Sequence, residues 1–204
     1  MAAVLHCAEI AKFVVDRAGP ISPSTRNPIR SWGRRRSCSG IEVQESQHLY
    51  LVNAWEAPEN HTIAPASNVE GARGEHSVDA SASNLEYHIH VHFSEEPYTA
   101  LSAPLTEIVL WTLKEGSPRV KVEELLTDLM TVVNGIPTSA GMHKAGWGPV
   151  LENEKQFVVL IGWENMEAFQ TAVKNSPEGR AILDQLDQHT DRLLRHVILE
   201  HDDL

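Results

Sequence analysis

An internal repeat constrains the fold of this chain more than any other feature of its sequence. The interval from Trp55 to His88 is 33 residues, and the interval from Trp163 to His196 is also 33 residues. Four further pairs match at the same offset: Glu56 with Glu164, Glu59 with Glu167, Glu70-Gly71 with Glu178-Gly179, and Leu85 with Leu193. An equal spacing anchored by tryptophan and histidine is typical of a duplicated structural unit. We therefore expect two related units in one chain.

The sequence of the second half of the chain predicts its strands and helices clearly. Hydrophobic periodicity and turn residues indicate strands at 105–113, 139–150, 155–163 and 194–201, and helices at 120–134, 166–174 and 178–192. Ser176 is the expected N-cap of the last helix, and Pro177 its first residue. The order strand, helix, strand, strand, helix, strand is the ferredoxin-like unit, an antiparallel sheet with helices on one face. The other face needs a partner.

The first half reads as a degenerate copy of the second. Ala8-Glu9-Ile10 matches Thr106-Glu107-Ile108, and Trp32-Gly33 matches Trp147-Gly148. Glu9 and Trp32 are only 23 residues apart, which leaves no room for a full first helix. The predicted elements are a strand or short helix at 4–15, loop at 19–40, a strand at 48–55, mostly loop at 56–84, and a strand at 86–93. The predicted α+β chain divides into a degenerate unit, 1–97, and a complete unit, 98–204.

Composition narrows the classes of partner. The chain has 204 residues and a formal net charge of -11, which argues against nucleic acid or an anionic membrane as the main partner. Charges at Glu9, Lys12 and Asp16 interrupt the first 19 residues, so no secretory signal is predicted, and no stretch is long enough to span a membrane. The two cysteines are expected to be reduced thiols in a cytoplasmic protein.

The strand Tyr87–Phe93 carries three histidines at alternate positions. His88, His90 and His92 therefore project from one face, and imidazoles titrate near neutrality, which suits acid, base or hydrogen-bond donor roles. The structural alternative is that they only satisfy local partners. His-x-His on a strand can also chelate zinc, but the sequence places no matching carboxylate or thiolate, so no metal site is predicted.

Six other residues complete the predicted site. His143 is the fourth predicted catalytic histidine. It shares a face of its strand with Trp147, unless Gly146 marks a bulge, and the pair would suit a flat aromatic ligand. The repeat makes His196 the equivalent of His88. Trp111 and Glu107 lie on one face of the strand 105–113, where a buried carboxylate often has a raised pKa. Tyr50 is either a phenolic donor or a sheet aromatic. A strand tryptophan such as Trp111 is more often a core residue than a site residue, and Trp147 fits a core position as well as it fits a site. The sequence contains no nucleotide-binding loop or nucleophile elbow, so no cofactor is predicted.

Several motifs resemble those of a known superfamily. Trp147-Gly148, the acidic loop 152–154 and the apolar strand 157–163 look like the dimeric α/β-barrel superfamily, which includes antibiotic-biosynthesis-monooxygenase-like and stress-responsive proteins. The segments 164–169 and 176–179 fit its second helix. The tandem arrangement, with a Tyr-His-x-His-x-His-Phe strand closing the first unit, is similar to fungal proteins associated with polyketide metabolism.

The resemblance implies that two open sheet faces form a barrel with the ligand inside, either within one chain or in a homodimer. It implies a small cofactor-independent enzyme that acts on an aromatic or enone polyketide-like intermediate. Histidine-assisted proton transfer would drive cyclisation, isomerisation, dehydration or decarboxylation, or the enzyme would oxygenate its substrate. A non-catalytic ligand-binding or stress-response barrel is the main alternative, and a haem- or metal-binding barrel is a third.

Overall fold

The computed structural model describes residues 6–15, 34–55, 84–93 and 95–201. The first-half elements are β1 (His6–Val14), β2 (Arg34–Glu42), β3 (His48–Trp55) and β4 (Leu85–Phe93). The short helix α1 (Tyr98–Leu101) follows, and then β5 (Leu105–Leu113), α2 (Arg119–Asn134) and a 3-10 turn (Thr138–Ala140). The remaining elements are β6 (Met142–Pro149), β7 (Gln156–Trp163), α3 (Met166–Asn175), α4 (Pro177–His189) and β8 (Thr190–His201).

The eight strands form one sheet in the order β4-β1-β3-β2-β8-β5-β7-β6. Each half contributes four strands with the same internal order, and all named strand pairs are antiparallel. The sheet curls into a nearly closed barrel, because Val91 of β4 forms a bridge with Val150, directly after β6. The predicted fold of two tandem ferredoxin-like units in an α+β barrel is therefore confirmed. The domain boundary between residues 97 and 98 stays a prediction.

Alternation along the strands separates the core inside the barrel from apolar clusters on its outer side. Ile10, Val52, Val91, Leu160 and Val197 come from both halves and belong to the apolar core inside the barrel. The opposite face of β5 and β7 packs against α2 and α4, in a second core that belongs to the second half alone. The barrel core closes the sheet on itself, and the second core attaches the helices to its outer side.

The helices form where the sequence predicts them. Val122, Leu125, Leu126, Leu129 and Met130 make the buried stripe of α2 at helical spacing. The side chain of Ser176 accepts a hydrogen bond from the backbone N–H of Gly179, and Pro177 occupies the first turn of α4, so the predicted cap is confirmed. The helix is shorter than expected, since it ends at His189 and β8 begins at Thr190.

Two expectations for the chain around the barrel seams are wrong. Residues 34–40, which we expected in a loop, belong to β2, because β3 and β8 pair with this strand on both sides and override its polar composition. The short helix α1 lies in the Pro- and Ser-rich segment after β4, where no helix is predicted. Residues 19–33 and 56–83, also predicted as loops, lie outside the described residues.

Candidate functional site

A cavity of about 370 Å³ lies between the helices and the outer face of the second-half sheet. The strands β5, β7 and β8 form its floor, and α2, α3 and α4 form its walls. Its lining is mainly apolar, with tryptophan, phenylalanine and aliphatic side chains. The residues at its floor are Glu107, Val109, Trp111, Val159, Ile161, Trp163, Arg192 and Leu194. The resemblance implies a ligand inside the barrel, whereas this cavity lies outside it, on the sheet face opposite the apolar core that both halves contribute to the barrel interior.

Glu107 is the acidic group of this cavity. Its side chain is buried, and the indole Nε1 of Trp163 donates a hydrogen bond of 2.8 Å to its Oε2. Burial raises the pKa of Glu107 to about 7, against the smaller lowering effects of the Trp163 hydrogen bond and the Arg192 charge. A carboxyl with a pKa near neutrality can both take and return a proton at physiological pH.

His196 lies opposite Glu107 across the β5–β8 strand pair, and its hydrogen bonds hold it in one tautomer. Gln44 accepts a hydrogen bond from the backbone N–H of His196 at 3.0 Å, which directs its amide nitrogen to His196 Nδ1 at 2.6 Å. The ring proton is therefore on Nε2, which lies 3.9 Å from Glu107 Oε2. Burial lowers the pKa of His196 to about 4, so between pH 4 and 7 a neutral imidazole faces the carboxyl.

Trp111 provides a polar atom at the floor of the cavity. The side chain is buried, and its Nε1 has no hydrogen-bond partner among residues 6–15, 34–55, 84–93 and 95–201. The guanidinium of Arg192 lies 5.5 Å from the centre of the Trp111 ring, within cation–π range. A buried donor beside an arginine suits a ligand with a partly negative oxygen.

The three histidines of β4 lie on the outer face of the barrel, because Ile89, Val91 and Phe93 occupy its core. They therefore do not line the barrel interior, which is where the resemblance places the ligand. His88 Nε2 lies 2.6 Å from Glu9 Oε1, and His90 Nδ1 contacts Glu152. His92 belongs to the same face. The cavity lies in the other half of the chain and does not include these histidines. Their catalytic role therefore stays a prediction.

The structure separates His143 from Trp147. The register of β6 shifts between Met142 and Ala145, and both of these residues belong to the helix-side core. The bulge therefore precedes Gly146, the position at which the sequence suggested it. His143 Nε2 lies 3.1 Å from Glu164 Oε2 in a partly exposed position. Trp147 packs against Phe157, with ring centres 5.8 Å apart. Neither residue lines the cavity, and their predicted roles stay predictions.

Tyr50 is an interior aromatic of the barrel. It is fully buried, its ring lies 6.4 Å from that of Tyr87, and Lys12 Nζ lies 5.9 Å from its ring centre. Burial is the main cause of a strongly raised pKa of the Tyr50 hydroxyl. Nearby, Glu42 pairs with Lys12 at 3.4 Å and with Arg195 at 2.8 Å. Tyr50 therefore does not reach the cavity, and its predicted substrate contact stays a prediction.

Sequence reasoning missed three cavity residues. Trp163 served only to anchor the repeat, while Phe169 and Arg192 were not considered. Phe169 packs edge-on against His196 with ring centres 4.6 Å apart, and against Trp163 at 5.9 Å. Register could have placed Arg192, because it pairs with Trp111 across β5 and β8. This pairing depends on where β8 begins, and we expected the strand to begin at residue 194, four residues after its observed start at Thr190.

Two groups of described residues have the side-chain types and spacing to hold a metal ion. Glu9, His88 and His90 form the first, and Glu42, Glu45 and His48 form the second. In each group the three ligand atoms lie within 4.8 Å of one another. Both groups belong to the first half of the barrel, away from the cavity.

Comparison with solved structures confirms the class of fold. The chain is similar to an anthrone oxidase-like protein, with a TM-score of 0.64, 11% identity, and coverage of 96% of this chain and 92% of that one. A candidate monooxygenase from Fusobacterium nucleatum subsp. nucleatum has a TM-score of 0.63, 11% identity, and coverage of 100% and 96%. A candidate monooxygenase from Lactobacillus acidophilus NCFM has a TM-score of 0.60, 12% identity, and coverage of 96% and 94%.

At these identities the likeness establishes the fold, a tandem ferredoxin-like α/β barrel, and leaves activity to the site. No protein-family model matches the sequence, and no curated protein matches it significantly. None of the helices in the described part of the chain is long and apolar enough to cross a membrane.

Proposed function

We propose that this protein is a small oxygenase-type enzyme whose substrate, an aromatic or enone small molecule, binds in the second-half cavity. Glu107 would remove the proton that starts the reaction. One observation carries the proposal: a buried carboxyl with a pKa of about 7 in the wall of an apolar, tryptophan-lined cavity. A volume of about 370 Å³ is in the range of small-molecule sites and suits a substrate of two or three fused rings.

The polar atoms of the cavity suit an acidic C–H or phenolic substrate. Glu107 takes a proton from the substrate, and the negative charge moves to the conjugated oxygen. The unpartnered Trp111 N–H and the Arg192 guanidinium would stabilise that oxygen. His196, with its proton on Nε2, can hydrogen-bond to the Glu107 carboxylate after small movements of either side chain. Trp163 keeps the carboxyl in place.

Oxygenation of such a carbanion needs molecular oxygen as the co-reactant. The deprotonated carbon adds O₂, the terminal oxygen takes up the proton, and the hydroperoxide loses water to leave a carbonyl group. One CH₂ group and one O₂ thus give one C=O group and one H₂O. The names of the neighbouring structures, two candidate monooxygenases and an anthrone oxidase-like protein, support this reaction class. A polyketide-type anthrone is the substrate we favour.

The proposal is tested by oxygen uptake with 1,8-dihydroxyanthrone as the probe. The expected result is consumption of one O₂ per anthrone, with formation of the anthraquinone. Glu107→Gln should lower kcat/KM by about 10²- to 10⁴-fold, the usual contribution of a positioned base. Glu167→Gln, an exposed glutamate on α3, is the matched control and should retain full activity. Equal rates for Glu107→Gln and wild type would contradict the assignment.

Non-catalytic binding is the second candidate function, favoured by the predominance of apolar side chains in the cavity lining. Trp111 and Trp163 both face this cavity, so a bound aromatic ligand should quench the intrinsic fluorescence. Quenching without oxygen uptake would assign the cavity to ligand sequestration. Anaerobic conversion of the probe to an isomer would instead point to proton-transfer chemistry, such as isomerisation, at the same carboxyl.

A further inference from the structure

The outer face of the first half carries a compact group of nitrogen and oxygen donors. Glu9 lies on β1 and His88 and His90 lie on β4, so two adjacent strands bring together residues about 80 positions apart. The Glu9 side chain is fully buried, and the side chains of His88 and His90 are 15% and 7% exposed. One ligand atom from each residue lies within 4.8 Å of the other two.

We propose that Glu9, His88 and His90 form a binding site for a divalent transition-metal ion, independently of the function assigned to the cavity. Two imidazoles and one carboxylate are a donor set that suits Zn²⁺ and leaves a coordination position open. The ion would lie between β1 and β4, on the face opposite the barrel core.

The existing contact between His88 and Glu9 needs little change to admit an ion. His88 Nε2 and Glu9 Oε1 are 2.6 Å apart. Two ligands of a tetrahedral zinc, each about 2.0 Å from the ion, lie roughly 3.3 Å from one another. The metal would therefore replace the shared proton after a separation of well under 1 Å, which side-chain rotation can supply.

Two of the three proposed ligands, Glu9 and His90, already have the kind of supporting hydrogen bond that metal ligands usually have. Asn53 Nδ2 donates to Glu9 Oε2 at 2.9 Å, which leaves Oε1 directed at His88. Glu152 contacts His90 Nδ1, and its Oε2 accepts a 2.9 Å hydrogen bond from the His90 backbone N–H. A carboxylate on one imidazole nitrogen orients the ring and increases the basicity of the other, Nε2, which would bind the metal.

Glu152 comes from the turn after β6, in the other half of the chain. The proposed site is thus complete only when the barrel closes at the seam between β4 and β6.

The second group, Glu42, Glu45 and His48, is a weaker candidate. Glu42 already pairs with Lys12 at 3.4 Å and with Arg195 at 2.8 Å. Two cations next to the carboxylate neutralise it and would repel a divalent ion. His48 is therefore a suitable control residue, since it belongs to a similar cluster that we do not expect to bind metal.

Isothermal titration of Zn²⁺ into untagged, EDTA-treated full-length protein tests the proposal. We expect one ion per chain. His88→Ala and His90→Ala should abolish stoichiometric binding, and Glu152→Gln should weaken it by about 10- to 100-fold, the usual effect of a supporting carboxylate. Titration with Co²⁺ adds a second readout, because its visible bands report the coordination, and these bands should be lost in the conservative variant His88→Gln.

Controls keep the result specific to this cluster. His48→Ala and His143→Ala should bind Zn²⁺ as the wild type does, and circular dichroism checks that each variant is folded. Undiminished stoichiometric binding in folded His88→Ala and His90→Ala would overturn the proposal. So would wild-type protein that binds no Zn²⁺, or a loss of binding in His48→Ala alone.

Discussion

Both halves of the barrel bury a glutamate at the same point of their first strand, and they surround it differently. Glu9 on β1 accepts hydrogen bonds from Asn53 and contacts His88 at 2.6 Å. Glu107 on β5 accepts from the indole of Trp163, and the neutral His196 lies 3.9 Å away. Polar side chains thus lie against both oxygens of the first carboxyl, whereas the second carboxyl faces an apolar cavity.

The difference shows that the two halves resemble one another more closely in backbone arrangement than in chemistry. The equivalent strand pairing is retained, since Glu9 lies opposite His90 and Glu107 lies opposite His196. The counterpart of His196 is therefore His90, and the equivalence with His88 that the 33-residue interval predicted is wrong. The neighbouring strands supply the partners, and their side chains have diverged. One glutamate therefore suits metal binding, whereas the other has a pKa near 7 and suits proton transfer.

The largest effect is expected at the two seams between the halves, where β2 pairs with β8 and where β4 meets the end of β6. The two seams should be equivalent. A Cβ on Gly40 would lie 2.1 Å from the backbone oxygen of Ile198, and one on Gly148 would lie 2.2 Å from that of His92. Gly40→Ala and Gly148→Ala should each lower the free energy of unfolding by about 4 kcal/mol, because backbone must move at both places. Urea denaturation followed by circular dichroism measures the loss.

Gly146→Ala is the matched control for the seam variants. It lies on the same strand as Gly148, and its Cβ would meet only the Phe93 ring, at an ordinary contact distance of 4.0 Å. A change of less than about 1 kcal/mol is expected there. If Gly148→Ala were as mild as Gly146→Ala while Gly40→Ala remained severe, the two seams would not be equivalent.

The seam glycines also show how far the sequence could predict the structure. The repeat and the strand patterns of the second half were sufficient for the fold, because burial on one face imposes clear periodicity. The match of Trp32-Gly33 with Trp147-Gly148 did not identify the structural counterpart of Gly148 in the first half, which is Gly40: Gly40 lies opposite Tyr50 of β3 as Gly148 lies opposite Val158 of β7. Residues 34–40 lack a strand pattern of their own, and pairing on both sides holds them in β2.

The candidate site was predictable in part, for a related reason. Glu107 was identified as a buried carboxyl, and Trp111 as a residue of the same face, because alternation along one strand places both. Neighbouring elements supply Trp163, Phe169 and Arg192, and only tertiary packing brings these to the cavity. Glu9 and His88 likewise meet across a strand pair that joins distant segments. Local patterns cannot fix such contacts.

The second-largest effect is a difference between the two glutamates in how substitution changes stability as the pH rises. The pKa of Glu107 is raised from 4.5 to about 7, so its contribution to stability is present below pH 4.5 and is lost as pH rises to about 7. Glu107→Gln cannot ionise. Relative to wild type, the variant should therefore gain up to about 3 kcal/mol between pH 4.5 and pH 8 in urea denaturation.

Glu9→Gln provides the comparison for that experiment. An amide accepts weaker hydrogen bonds than a carboxylate, so His88 and Asn53 lose stabilising contacts, and the variant should be less stable than wild type at pH 8. Opposite signs for the two substitutions at pH 8 would support the different roles of the glutamates. Stabilisation by both substitutions would show that the two sites are electrostatically alike.

The smallest effect concerns the indole of Trp163, which donates a hydrogen bond to Glu107. Trp163→Phe keeps an aromatic ring against Phe169 but removes the indole N–H, which stabilises the ionised carboxylate. Loss of a hydrogen bond to a charged group costs about 1.5 kcal/mol, so the pKa of Glu107 should rise by about one further unit. The pH range over which stability declines should extend upward by the same amount. Trp147→Phe, which has no contact with Glu107 among the described residues, should leave that range unchanged, and an unchanged range in Trp163→Phe would mean that burial alone sets the pKa.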